Sequence, residues 1–231
     1  MKKIDGVFAL DVIGKRFSET IDLLNETLPQ KIITVGGTCG TEAGPVSYLN
    51  DYYKGDIAVI WFDAHGDLNT PESSPSGHFH GMVLRTLLGD GPDIFCNYIR
   101  KPLQDKQVFM AGIRDLDKIE HEYIDNSNIT VCQVNKDLVD AILKAGFSKV
   151  YIHIDVDVLN PEDFSGMLMP TTGGPMREEL SECLSLISEN LDVIGVGVVE
   201  FCENNSESSQ QLLKILNDGK IIKAKRVSPQ L

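Results

Sequence analysis

Trp61-Phe62-Asp63-Ala64-His65-Gly66-Asp67 closes an apolar run that begins at Ile57, and it sets Asp63, His65 and Asp67 at alternate positions. A strand sends alternate side chains to one side, so a strand over residues 57–62 delivers all three toward one place. Carboxylates around an imidazole, with no paired thiolates, suit Mn²⁺, Fe²⁺ or Zn²⁺ in a catalytic site better than Ca²⁺ or structural Zn²⁺. Lys149-Val150-Tyr151-Ile152-His153-Ile154-Asp155-Val156-Asp157 repeats the design, an apolar strand ending in two acids that point the same way. Four acids and a histidine exceed the usual ligand set of one transition ion. Carboxylates bridge, so two ions about 3.5–4 Å apart are the natural occupancy.

Outward from these stretches, further apolar segments over 7–12, 31–35, 107–113, 129–134 and 193–199 alternate with helical patterns. Phe17, Ile21, Leu24 and Leu28 mark one helical face, and residues 42–53 form another helix. Val83, Leu84, Leu87 and Leu88 mark the next, followed by the stripes at Leu138 and Ile142, at Leu180, Leu184 and Ile187, and at Leu212, Ile215 and Leu216. Strand–helix alternation without a linker or repeat predicts one α/β domain over 1–231, a parallel sheet flanked by helices. Cys39, Asp63, Asp115, Asp155 and Glu200 then follow the carboxyl ends of strands, the edge where open α/β sheets bind ligands. The irregular loop over 159–175 is long enough to be functional.

The chain has 231 residues, 42% hydrophobic, enough for a sizeable core. A net charge of −13 argues against nucleic acid and is compatible with a small cationic substrate. No apolar run approaches membrane-spanning length, and Met1-Lys2-Lys3 leads into a short strand rather than a signal-peptide core. Five scattered cysteines with no Cys-x-x-Cys pair favour reduced thiols and a cytoplasmic setting. The tail from Lys220 is basic and is expected to be exposed.

Asp63-Ala64-His65-Gly66-Asp67 and Asp155-Val156-Asp157-Val158-Leu159-Asn160-Pro161 resemble the two metal signatures of the arginase and agmatinase family of ureohydrolases. The resemblance runs from about residue 31 to about 205. It implies a three-layer α/β/α fold with a mostly parallel, about eight-stranded sheet, a trimer or hexamer, and two Mn²⁺ ions, with Zn²⁺ as an alternative. By the same resemblance Asp63, His65, Asp67, Asp155 and Asp157 are metal ligands, and Glu200 holds the guanidinium. Asn69, Ser74 and Ser76 look like the arginase segment that takes the α-carboxylate of L-arginine, and Asp117 like the residue that contacts its α-amino group. The resemblance also implies that Asp67 passes a proton to the leaving amine and that His80 exchanges protons with solvent. The implied reaction is hydrolysis of L-arginine to ornithine and urea by a metal-bound hydroxide. Agmatinase or formiminoglutamase activity is the neighbouring alternative.

The chain departs from the family at Gly36-Gly37-Thr38-Cys39-Gly40, where the family has Gly-Gly-Asp-His-Ser with the histidine binding one metal. Three outcomes stay open: ligation by the Cys39 thiolate, which favours softer ions such as Zn²⁺; a single-metal enzyme; or an impaired, even non-catalytic, member that binds a guanidino ligand or serves a regulatory role. His153 shares a strand face with Asp155, about 7 Å back. It reads either as a partner behind the ligands or as a core histidine. Asn160, His78 and Met169 replace an aspartate, an asparagine and a threonine of the family pattern, and the N-terminus is short by an element or more.

Overall fold

The computed structural model describes residues 2–203 and 206–221. Strands β1 (Lys3–Ile4) and β2 (Val7–Phe8) make an antiparallel hairpin turned at Asp5-Gly6. Ala9 then takes a left-handed conformation and the chain enters α1 (Leu10–Thr27), which buries Leu10, Phe17, Ile21 and Leu24. The strand expected over 7–12 is therefore corrected: only Val7–Phe8 is extended, because the reversal at Ala9 starts the helix at Leu10. Leu28, expected on the buried face, lies past the helix end and is exposed.

The order continues with β3 (Ile32–Val35), a 3₁₀ turn over Cys39–Glu42 running into α2 (Ala43–Tyr52), and β4 (Ala58–Phe62). A second 3₁₀ turn, Phe79–Met82, leads into α3 (Val83–Leu87), then α4 (Asp93–Cys96), β5 (Val108–Ala111), α5 (Lys118–Asp125), β6 (Thr130–Cys132) and α6 (Lys136–Lys144). β7 (Lys149–Asp155), α7 (Arg177–Asn190), β8 (Asp192–Val199) and α8 (Ser206–Asp218) complete it. The basic tail expected to be exposed lies, from residue 222, outside the described residues.

β3, β8, β7, β4, β5 and β6 pair in that order, every pair parallel. Both faces are covered, which is why the central strands are nearly unbroken apolar runs. Val59, Trp61 and Tyr151 pack with α1 and α2 on one side, while Ala58, Ile60, Phe62, Ile152 and Ile154 pack with α6, α7 and α8 on the other. This is the expected three-layer α/β arrangement with a smaller sheet: six strands among the described residues rather than about eight. The segment before β3 forms a hairpin and a helix instead of another sheet strand, so β3 is an edge, with Ile33 and Val35 exposed. Its shortness limits the exposed pairing edge. Among the described residues no helix is long and apolar enough to cross a membrane, and all five cysteines are free.

Candidate metal centre

β4 and β7 run side by side with Trp61 opposite His153 and Phe62 opposite Ile154, so Asp63 and Asp155 leave the sheet together. β8 pairs Val199 with Asp155 and puts Glu200 next in line. β3 feeds the turn that carries Cys39. Four strand ends thus gather side chains far apart in sequence at the carboxyl edge of the sheet.

Asp67 and Glu200 both hold left-handed backbone, at φ 53° and 58°. Non-glycine residues pay for such geometry, and it recurs where a side chain must be aimed. His65 Nδ1 sits 3.0 Å from Asp157 Oδ2 and 3.4 Å from Asp63 Oδ1. Cys39 Sγ donates to Asp155 Oδ2 at 3.0 Å, and its backbone N–H donates to Glu200 Oε1 at 3.2 Å. The Asp157 carboxylate accepts from Ala64 N–H at 3.1 Å, and Asp155 accepts from Asp157 N–H at 2.8 Å. Behind the cluster, Arg114 clamps the backbone carbonyls of Asp157 and Val158.

The electrostatics are those of crowded anions. Burial first, then the charges of Asp63 and its neighbours, pushes the Asp67 and Asp155 carboxyls well above the usual range. Burial and the same acids raise the Cys39 thiol. Burial would raise Asp63 too, but His153 and His65 outweigh it and hold Asp63 at about 2. Hydrogen bonding to Asp157 and Asp63 lifts His65 to about 11. Asp63 Oδ2 and Asp67 Oδ2 are buried with no hydrogen-bond partner. Buried acids left unpaired are costly, and divalent cations are the natural compensation, so the donor set fits metal ions. Three groupings bring their donor atoms within 4.8 Å of one another: Cys39, Asp63, Asp67 and His153; Cys39, Asp155 and Glu200; and Asp63, His65 and Asp157.

These groups face a cleft of about 280 Å³. Cys39, His65, Asp67, Asn69, Ser74, Ser76, His80, Asp117, Asp155, Asp157 and Glu200 all line it, and Asp63 lies fully buried beneath. His80 Nδ1 is 3.4 Å from Glu200 Oε1. Asn69 donates to Asp117 Oδ2 at 2.9 Å, and Ser74 and Ser76 sit on the outer wall with Met169. His78 lies against the Phe8 ring, 4.9 Å between ring centroids and tilted by 30°. A larger, mostly apolar cavity of about 500 Å³ lies on the other side of His80 against α1; no acid lines it.

Two further acids back the site, Glu120 behind the segment 114–117 and Glu42, which sequence alone did not single out. Glu120 accepts from the backbone N–H of Leu68 and Asp117, tying α5 to the loop after Asp67. Glu42 is fully buried and accepts from Tyr151 Oη at 2.8 Å. It was the sole charged residue of the stretch 36–50, and a lone acid in an uncharged run is the signal that marks it.

The Arginase family model matches residues 8–212, a longer span than the motifs alone indicated. An arginase of Staphylococcus aureus is 30% identical over 218 residues, 88% of this chain and 70% of that protein. In fold, the chain matches Entamoeba histolytica arginase, solved in complex with L-ornithine, with a TM-score of 0.86 at 24% identity, covering 96% of this chain and 81% of that one. It matches Bacillus cereus arginase with a TM-score of 0.84 at 26% identity, covering 95% and 81%. With the acid-lined strand ends, the matched span and these relatives together, the chain belongs to the arginase family.

Proposed function

We propose that the chain is a metal-dependent amidinohydrolase acting on L-arginine to give ornithine and urea. The observation that carries this reading is the meeting, in one cleft, of a buried acid–histidine cluster with Glu200 and with Asn69, Ser74, Ser76 and Asp117. Asp63, His65, Asp67, Asp155 and Asp157, with Cys39 beside them, would hold two divalent ions, Mn²⁺ or the softer Zn²⁺. Such ions supply a water of lowered pKa, hence a nucleophile at neutral pH.

The chain's own residues account for the remainder. Glu200 offers a carboxylate to the planar guanidinium, a match for paired charge-assisted hydrogen bonds that fixes the carbon to be attacked. Oxygen adds to that carbon, the bond to the side-chain nitrogen breaks, and the departing nitrogen must gain a proton. Asp67, a buried acid lining the cleft, would pass it. His80, part-exposed at the cleft, exchanges the proton with solvent. Asp117, held by Asn69, takes the α-amino group, and the Ser74–Ser76 wall takes the α-carboxylate that agmatine lacks.

The test is urea and ornithine release from L-arginine by Mn²⁺- or Zn²⁺-loaded protein, with agmatine, guanidinobutyrate and formiminoglutamate as competitors. Release from L-arginine above the others supports the reading, and no turnover of any of them defeats it. Cys39 favours one second reading, an impaired member that binds a guanidino ligand without turning it over. Ligand binding without product, together with activity gained in Cys39→His, would select it. Assembly into a trimer or hexamer belongs to the proposed reading and is checked by light scattering.

A further inference from the structure

We propose that His153 is itself a metal ligand, forming with Cys39, Asp63 and Asp67 a cation site in which an imidazole from the middle of the sheet replaces the one absent at position 39. This rests on the reading of the cleft as a metal centre and goes beyond it by assigning the ligands of one ion.

One donor atom each from Cys39, Asp63, Asp67 and His153 falls within 4.8 Å of the other three, and all four residues are buried. Asp63 belongs equally to the grouping with His65 and Asp157. Its two oxygens divide accordingly: Oδ1 faces His65 Nδ1 at 3.4 Å and Oδ2 faces His153 Nε2 at 3.6 Å. A carboxylate placed between two imidazoles is what a bridge between two cations requires.

A core histidine with a structural role would have its nitrogens satisfied by hydrogen bonds. Those of His153 are not: the ring is fully buried, and neither nitrogen has a hydrogen-bond partner. Its nearest polar neighbours, Asp63 at 3.6 Å and Glu42 at 3.8 Å, stand beyond hydrogen-bond distance. Asp63 Oδ2 and Asp67 Oδ2 are likewise unpartnered. Several buried donors aimed at one place and unsatisfied by protein are all satisfied by a single cation.

The surroundings of the ring match those of a ligating histidine. Trp61 stacks on it at 3.5 Å between ring centroids, with 8° between planes, and fixes its orientation. Glu42 Oε2, anchored by Tyr151 Oη, lies 3.8 Å from Nδ1 of His153, too far for a hydrogen bond but on the side where a metal-bound imidazole would offer its other N–H to a carboxylate. Glu42 reaches that place only because position 197, paired with His153 across the sheet, is glycine: a Cβ there would lie 1.7 Å from Glu42 Oε2. Cys39 would bind as thiolate and His153 as the neutral ring, their protons leaving to solvent. One sulfur, one nitrogen and carboxylate oxygens make a softer set than oxygen-rich Mn²⁺ sites, which favours Zn²⁺ or Co²⁺ here.

The test uses the full chain, stripped of metal and reloaded with Co²⁺, followed by metal analysis and absorption spectroscopy. Wild type is expected to hold about two ions per chain and to show a thiolate-to-cobalt charge-transfer band in the near ultraviolet. His153→Gln is expected to hold about one and to lose that band, whereas His65→Gln loses the other ion and keeps it. A His153→Gln protein that retains both ions and an unchanged band overturns the assignment. Wild type that binds no ion overturns the metal reading as a whole, a different result. Should His153→Gln fail to fold, zinc X-ray absorption on wild type decides: two imidazoles per two ions support the site, and one imidazole per two ions ends it.

Discussion

His65 Nδ1 lies 3.0 Å from Asp157 Oδ2, joining the loop that leaves β4 to the turn that leaves β7. The contact closes one side of a cluster whose other acids repel each other, so a cation binding there favours the folded state over the unfolded one. At a free ion concentration a hundred times Kd, that stabilisation is about 2.7 kcal/mol. For a chain of this size it corresponds to roughly 5–10 °C in Tm. Chelation is expected to lower the melting temperature by that amount, and Mn²⁺ or Zn²⁺, but not Ca²⁺, to restore it. Thermal melts that are the same with and without chelator would contradict the metal centre.

Arg114 donates to the carbonyls of Gly112, Asp157, Val158, Leu159, Thr171 and Thr172, stitching both ends of the long loop to the turn that carries Asp157. A guanidinium serves several acceptors through a flat fork of five N–H groups, and an ammonium does not. Arg114→Lys is expected to cost about 3 kcal/mol, as from two lost bonds to a charged donor at about 1.5 kcal/mol each. Urea denaturation measures the loss, and limited proteolysis should show new cleavage within residues 159–175.

Glu200 sits in a left-handed conformation with Oε1 3.2 Å from Cys39 N and 3.4 Å from His80 Nδ1. Glu200→Gln keeps an acceptor for the Cys39 N–H and removes the charge offered to a guanidinium. The expected result is an unchanged fold by circular dichroism and at least about a 100-fold drop in kcat/KM for L-arginine, about 2.7 kcal/mol of transition-state stabilisation. His80→Ala should lower kcat rather than raise KM, with partial rescue by free imidazole. Near-normal activity in Glu200→Gln would remove Glu200 from the substrate site.

Alternating acids and a histidine at the ends of two apolar runs sufficed to locate the acid cluster, because parallel strands place their carboxyl ends together whatever the loops between them do. The same local logic overextended the first strand, since Val7 to Val12 is equally apolar in a hairpin and in the first turn of a helix, and only the left-handed Ala9 separates the two. Glu42 stands out in sequence as the lone charge of residues 36–50, but where it lies in the fold does not. Its burial depends on the missing side chain at Gly197 and on the Tyr151 hydroxyl, both more than 100 positions away. Pairing across a sheet is a long-range fact, and strand periodicity carries none of it. His153 was placed on the right face by alternation, but whether its nitrogens were satisfied depended on Glu42 and was equally hidden.

Asp163 anchors the far end of the loop over 159–175. Its Oδ2 accepts from the backbone N–H of Arg177 at 2.7 Å and its Oδ1 from Arg177 Nη2 at 2.9 Å, at the first turn of α7. Hydrogen bonding to the Arg177 side chain, more than burial opposes it, holds the Asp163 carboxyl below the usual carboxylate range. A carboxyl lowered by folding contributes stability above its unfolded value of about 3.9 and loses it as the pH falls through the folded value. Asp163→Asn is therefore expected to be about 1 kcal/mol less stable at pH 7, in the range of a lost helix cap. That gap should shrink below about pH 4 as the wild-type carboxyl takes up its proton. Denaturation at pH 7, 5 and 3 tests it, and a difference that stays constant across the three would assign the lost stability to packing rather than to the charged pair.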